Sequence, residues 1–193
     1  MPARDTPGAT PSARERILSA SYDLFARRGV RGVGVDEVIE RSSVAKATFY
    51  KHFPSKDDLV LAFLDRREEE WIRGLIEEGS QARGETPEER LLAIFDVLDE
   101  WFRSDAFDGI SFVTVLVEMG RDHPLGQASI ERLNHLREVI KRRAELAGLR
   151  SPAEFAQSWH ILVKGSIIGA LSGDLDAANR AKAMGASLIE DYR

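Results

Sequence analysis

The chain has 193 residues, 43% of them hydrophobic and 31% charged, which is enough apolar material for one or two modest cores. Cysteine is absent, which excludes a disulfide framework, a thiolate metal site and a thiol nucleophile. The formal net charge of −5 is unevenly spread: residues 1–56 hold ten Lys/Arg against six Asp/Glu, and the remainder 17 against 26, so the basic end is the N-terminal one.

Residues 1–11 lack an apolar signal core and are expected to form a disordered arm of a cytoplasmic protein. No apolar run approaches the ~20 residues of a membrane span. Helical periodicity begins with Ile17, Ala20, Leu24 and Phe25 and predicts a helix over residues 12–29, with Gly29 placed for a positive-φ cap. A short helix over 35–41 has Asp36 and Glu37 in its first turn, where they complement the helix dipole. Another covers 45–53, and Pro54 stops it. Ser55 caps the fourth helix, with Asp58 three residues on as a near capping box. That helix carries Leu59, Val60, Phe63, Leu64, Trp71, Leu75 and Ile76 and is expected to reach Glu78, leaving 79–85 as a polar linker.

Thr86-Pro87-Glu88-Glu89 is a capping box with proline at the first helical position, opening a helix to Arg103. Residues 105–109 break the chain before an apolar helix over 110–121. A long charged amphipathic helix follows Pro124 and ends near Gly148. Ser151-Pro152-Ala153-Glu154 reads as a second capping box, opening a helix to Leu171, and 175–192 form the last. Nothing reads as a strand. The fold class is all-α, with about nine helices.

The helix over 45–53 carries the chemistry. Lys46, Thr48, Tyr50, Lys51 and His52 can each hydrogen-bond a phosphate or a base edge, and they alternate with Ala47 and Phe49, which are expected to face inward. An apolar back and a short cationic front are what a helix needs to sit on a scaffold and enter a major groove. The run Val35-x-x-Val38, Ser43-Val44-Ala45, Thr48-Phe49-Tyr50-Lys51-His52-Phe53 and Ser55-Lys56, with Leu24-Phe25 and Gly29 before it, resembles the DNA-binding segment of TetR-type transcriptional repressors. The resemblance covers residues 14–64 of the 193.

The resemblance implies an N-terminal three-helix bundle with a helix-turn-helix over residues 12–56. It implies a C-terminal helical domain over 57–193 for dimerisation and effector binding. It further implies a homodimer on a palindromic operator, repressing until a small-molecule effector changes the spacing of two recognition helices. DNA contact then falls to Lys46, Thr48, Tyr50, Lys51, His52 and Lys56. Lys56 stands at a helix start, where backbone N–H groups and the ammonium can share one phosphate. Three positions depart from the family pattern. Ser43 stands where a turn glycine is usual, so a left-handed backbone there would cost about 1 kcal/mol. Ala45 replaces a capping serine, and Val33-Gly34 stand where a threonine is frequent.

Gly165, Gly169 and Gly173 recur every four residues, along one helix face. Each costs about 1 kcal/mol in a helix relative to alanine, so three in register point to close backbone approach. The resemblance implies that the last two helices form a dimer interface, which this face fits; tight packing inside one subunit is the other reading. Trp101, Phe107, Phe112, Leu116, Met119 and Trp159 are the candidate lining for an apolar effector, or else plain core. Glu118 and His123 could orient a polar ligand group, or serve as cap and surface. The four histidines, His52, His123, His135 and His160, have no metal-ligand spacing, and no nucleophile elbow, phosphate loop or dinucleotide fingerprint is present. No metal, cofactor or enzymatic activity is expected. The alternative to a DNA-binding regulator is a helical adaptor that binds only protein.

Overall fold

The computed structural model describes residues 11–109 and 111–193, and residues 1–10 of the expected arm lie outside them. Two compact units divide between Phe63 and Leu64.

In the first unit, the Ser12 hydroxyl accepts a hydrogen bond from the Glu15 amide at 3.1 Å and starts α1 (Ala13–Arg28). Ile17, Leu18, Leu24 and Phe25 form its buried face, at the spacing of a helical stripe. Gly29, at φ 72°, ends it. Helices α2 (Val35–Ser42) and α3 (Lys46–His52) pack on α1 and on each other. Val38, Phe49, Phe53, Leu59, Val60 and Phe63 close the core, none more than 2% exposed. The Phe63 ring meets Tyr22 and Phe25 edge-on, at 5.3 and 5.5 Å between centroids. Burying one such side chain stabilises the fold by roughly 2–3 kcal/mol.

The turn between α2 and α3 adopts the geometry that glycine usually supplies. Ser43 lies at φ 53°, ψ 45°, left-handed, with its amide donating to Glu40 at 3.1 Å and the Val44 amide reaching back to Ile39 at 3.4 Å. Neither Gly34 before α2 nor Ala45 before α3 provides a side-chain cap.

Helix α4 opens on a reciprocal cap: the Ser55 hydroxyl accepts from the Asp58 amide at 3.1 Å, and the Asp58 carboxylate accepts from the Ser55 amide at 2.9 Å. It runs as an α-helix over Lys56–Arg67, widens into π-helical turns over Glu68–Glu78 and closes with Gly79–Gln81. The expected linker over 79–85 is therefore corrected, because its first three residues are the last helical turn. Ser80 is fully buried there. The Arg143 guanidinium donates to the Ser80 hydroxyl at 2.7 Å and to the Glu77 and Arg90 carbonyls at 2.9 and 3.0 Å, the Glu77 carbonyl being one that the helix end leaves open. Burial lowers the Arg143 pKa to about 10, so it remains charged near neutrality.

In the second unit, α5 (Pro87–Phe102) starts on the full Thr86–Glu89 capping box. Helices α6 (Ser111–Met119), α7 (Pro124–Leu146), α8 (Pro152–Leu171) and α9 (Ala177–Asp191) complete nine helices among the described residues. Helix α7 packs on α5, α6 and α8, and α9 lies against α5 and α8. Phe95, Leu98, Leu136, Ile140, Phe155 and Trp159 are fully buried at the centre. The second expected capping box does not form. Ser151 is left-handed, at φ 45°, with no side-chain cap, whereas a capping residue needs an extended backbone to aim its hydroxyl at the first turn.

Candidate nucleic-acid interface

Helix α3 is held on its inner side by two aromatic rings. Phe49 and Phe53, four residues apart, are 0% and 2% exposed, and this pair fixes the rotation of the helix about its axis. Lys46, Ala47, Tyr50 and Lys51 are exposed to solvent, Ala47 and Lys51 on the side opposite the two rings, while Thr48 and His52 lie half-buried. Ala47, expected to face inward, is exposed. The reason is geometric: in a helix of period 3.6 that buries 49 and 53, residues 47 and 51 fall on the opposite side, so the inward face has no place for residue 47.

Tyr50 is 43% exposed, and its ring stands nearly perpendicular to Phe49 with centroids 5.2 Å apart. The Lys46 ammonium sits 3.2 Å from the Asp36 carboxylate, both well exposed, a pairing of small energetic consequence that phosphate could displace. Lys56 is half-buried at the start of α4, and its ammonium donates to the Val30 carbonyl at 2.7 Å. That bond ties α4 to the turn after α1. An ammonium has three N–H donors, so this role is compatible with a further phosphate contact. Surface ion pairs Arg28–Glu37 at 2.5 Å and Arg41–Asp23 at 3.2 Å brace α2 against α1. The structure thus brings Lys46, Tyr50 and Lys51 together on one exposed face, with Thr48, His52 and Lys56 beside it.

The candidate effector residues divide. Trp101, Phe107 and Phe112 join one aromatic cluster, in which Trp101 meets Phe107 edge-on at 4.8 Å and Trp71 lies 6.1 Å from Trp101 and 6.0 Å from Phe112. Leu116 and Met119 are half-buried on the same helix as Phe112. Trp159 belongs elsewhere: its ring packs on Phe95 at 5.3 Å and Phe155 at 5.2 Å. Its neighbour across α9 is Gly185, where an added Cβ would fall 2.9 Å from the indole. Two further members of the first cluster have no distinctive signal in the sequence. Trp71 reads there as one more residue on the apolar face of α4. Arg67, 6% exposed, lies 5.6 Å over the Trp101 ring and pairs with Asp108, donating to one carboxylate oxygen at 2.9 Å and to the Gly109 carbonyl at 3.1 Å. A buried arginine inside the charged run Asp65-Arg66-Arg67-Glu68 has no distinctive sequence signal. The Trp71 indole N–H and the Ser111 hydroxyl are buried with no hydrogen-bond partner among the described residues. His123 is a cap, its Nδ1 accepting from the Leu125 amide at 3.2 Å.

The three glycines also divide. Gly173 lies beyond the end of α8 at φ 97°, so it serves a positive-φ turn and does not share the helix face, a correction to the three-in-register expectation. A Cβ at Gly169 would come within 3.0 Å of the Ala177 Cβ, which is close packing inside the chain. A Cβ at Gly165 would meet nothing within 4 Å. Gly165 instead lies in a groove of about 310 Å³ lined also by Ile161, Leu162, Ala181 and Met184. Ile161, Ile168 and Met184 are 66%, 52% and 57% exposed, an apolar surface along α8 and α9.

Among the described residues, no His, Asp or Glu group could hold a metal ion, and no helix is long and apolar enough to cross a membrane. Residues 17–63 match the family described as bacterial regulatory proteins, tetR family. A transcriptional repressor of Rhodococcus jostii, KstR, is 32% identical over 97 residues, which are 50% of this chain and 44% of the relative. A transcriptional activator of Mycolicibacterium smegmatis, FasR, is 37% identical over 62 residues, 32% of this chain and 28% of that one. The match therefore spans less than half the length of either curated relative. A TetR-family transcriptional regulator from Streptomyces coelicolor superposes with a TM-score of 0.85 at 22% identity, covering 93% of this chain and 95% of that one, a likeness of fold.

Proposed function

We propose that this chain, which belongs to the tetR family of bacterial regulatory proteins, is a ligand-responsive transcriptional regulator that binds a palindromic operator as a homodimer. The observation that carries the reading is the outward face of α3, Lys46, Tyr50 and Lys51 on a helix locked by Phe49 and Phe53. A locked helix can present the same side chains to the same base edges each time, which specificity requires. Lys51 and Lys56 supply phosphate contacts that add affinity and are weakened by salt, while Tyr50 and its neighbours face the bases. Cytoplasmic placement follows from a chromosomal partner, and no catalytic step is assigned.

The exposed apolar surface of α8 and α9 is the proposed dimer interface. Gly165 supports it, because no neighbour among the described residues explains a glycine there, whereas a facing helix would. Two recognition helices on one dimer must reach half-sites roughly 34–36 Å apart, or multiples of that, so a shift of a few ångströms lowers affinity. The proposed effector is an uncharged or weakly polar organic molecule held by Trp101, Phe107 and Phe112 with Trp71. Trp159 and Gly169 are assigned to the internal core. Repression is the proposed sign of regulation, by occupation of a promoter.

The test is titration of the purified protein against labelled DNA flanking its own gene, at two salt concentrations. Saturable binding that competitor DNA does not remove, and that weakens steeply with salt, is expected. A protein that binds no DNA above background but retains protein partners would instead be a helical adaptor. Gly165→Leu should give folded monomer by sedimentation; a stable dimer would overturn the interface. Hydrophobic aromatic compounds should quench tryptophan fluorescence at the concentrations that release DNA.

A further inference from the structure

The exposed side of α3 contains one residue that its neighbours do not resemble. Lys46, Tyr50 and Lys51 all end in hydrogen-bonding groups, yet Ala47, which lies among them, offers only a methyl group to solvent. Residue 47 lies one turn from 50 and 51, so its Cβ shares their surface. Core packing does not account for it, because the core side of α3 is taken by Phe49 and Phe53 and residue 47 is exposed. Helix propensity is the remaining plain account, since alanine is the best helix former.

Resting on the reading of α3 as the recognition helix, we propose that Ala47 is a specificity-determining residue whose methyl packs on the 5-methyl group of one thymine in each half-site. The chemistry is selective. In the major groove each base edge offers a donor, an acceptor or both, and thymine alone of the four adds an apolar group. Pressing an alanine methyl on guanine O6 or N7, or on the cytosine amino group, would strip water from a polar atom and return no hydrogen bond. Against thymine the same approach buries two methyl groups. The short side chain also lets the α3 backbone come close, so that Tyr50 and Lys51 can flank the same base pair.

The experiment uses the full chain and duplexes that it selects from a random library. Each thymine of the selected half-site is replaced in turn by deoxyuridine, which removes only the 5-methyl group. At one thymine the wild-type protein should lose about fourfold in affinity, the factor for one buried methyl. Ala47→Gly should bind both duplexes more weakly but with no difference between thymine and uracil at that position, and Ala47→Ser, which keeps the helix, should also lose the difference. If helix propensity were the whole account, Ala47→Gly would weaken binding while leaving the thymine-to-uracil ratio as in wild type, and the proposal would be wrong. A wild-type ratio of one at every thymine also overturns it. Enrichment of no sequence at all would mean that the reading of α3 itself has failed, and this inference with it.

Discussion

The two units differ in how far they bury ionisable side chains. In the first, the ion pairs Arg28–Glu37, Arg41–Asp23 and Lys46–Asp36 are all exposed, and the buried interior is aromatic and aliphatic apart from Ser21, Ser42 and the Arg16 Nε. In the second, Arg67, Arg132, Arg143 and His160 are buried at 9% exposure or less, and the indole N–H groups of Trp71 and Trp159 lack protein partners among the described residues. An exposed charge keeps its water and can be surrendered to a phosphate at little cost, which suits a surface that must exchange salt ions for DNA. A buried polar group is committed to its partners, or calls for one, and this suits a unit proposed to hold a ligand and to register its presence.

This contrast predicts that single substitutions damage the fold far more in the second unit than on the outward face of the first. Trp159→Ala should cost about 3–5 kcal/mol, since a fully buried indole between Phe95, Phe155 and Gly185 leaves a cavity that aromatic neighbours cannot fill. Lys51→Ala should stay within about 0.5 kcal/mol of wild type. Urea denaturation of the two variants measures both, and comparable midpoints would break the comparison.

A second effect belongs to pH. Burial, with Lys164 and Arg137 adding repulsion, lowers the His160 pKa from its usual 6.5 to about 4. In the unfolded chain the imidazole takes a proton as pH falls below about 6.5, while the folded form resists until about 4, so the unfolded state binds more protons in that window. Stability should therefore be full above pH 6.5 and decline towards pH 4, by at most about 3 kcal/mol. Chemical denaturation at pH 7 and pH 4.5 should show the decline, and His160→Gln should show much less of it.

The smaller effects lie in the first unit. Lys56→Ala should make the dependence of operator affinity on salt shallower by about one unit of slope, like Lys51→Ala. It should also destabilise the fold slightly, because only Lys56 loses a hydrogen bond, to Val30. Equal melting of the two variants would show that the Val30 contact contributes nothing. Ser43→Gly should stabilise by roughly 0.5–1 kcal/mol, since glycine adopts the left-handed backbone without a Cβ clash. A neutral or harmful outcome would mean that the serine hydroxyl matters to the turn.

Local signals carried far along this chain. The start of α1 at Ser12, its end at Gly29, the reciprocal cap at Ser55 and Asp58, and the box at Thr86 and Glu89 all formed where the residues indicated, because each is a hydrogen bond closed within four positions. Local signals failed where a distant partner intervened. The expected linker at Gly79 became a helical turn once Arg143 supplied donors from α7, 63 positions from Ser80. Ser151 lost its expected cap to a backbone conformation that its sequence pattern could not reveal.

The sequence by itself determined the helical class, most helix limits, Phe49 as an inward residue of α3 and the identity of the side chains available for DNA. These follow from periodicity, capping chemistry and turn residues, all of them short-range. Tertiary structure alone decided which way α3 is turned, and so that Ala47 faces solvent. It also placed Trp159 apart from Trp101, seated Arg67 on that indole, removed Gly173 from the face of Gly165 and left open space among the described residues where a Gly165 Cβ would stand. The physical reason is range. A hydrogen bond within one turn is written in adjacent residues, whereas the packing of one side chain against another many residues away exists only after the helices have chosen their neighbours.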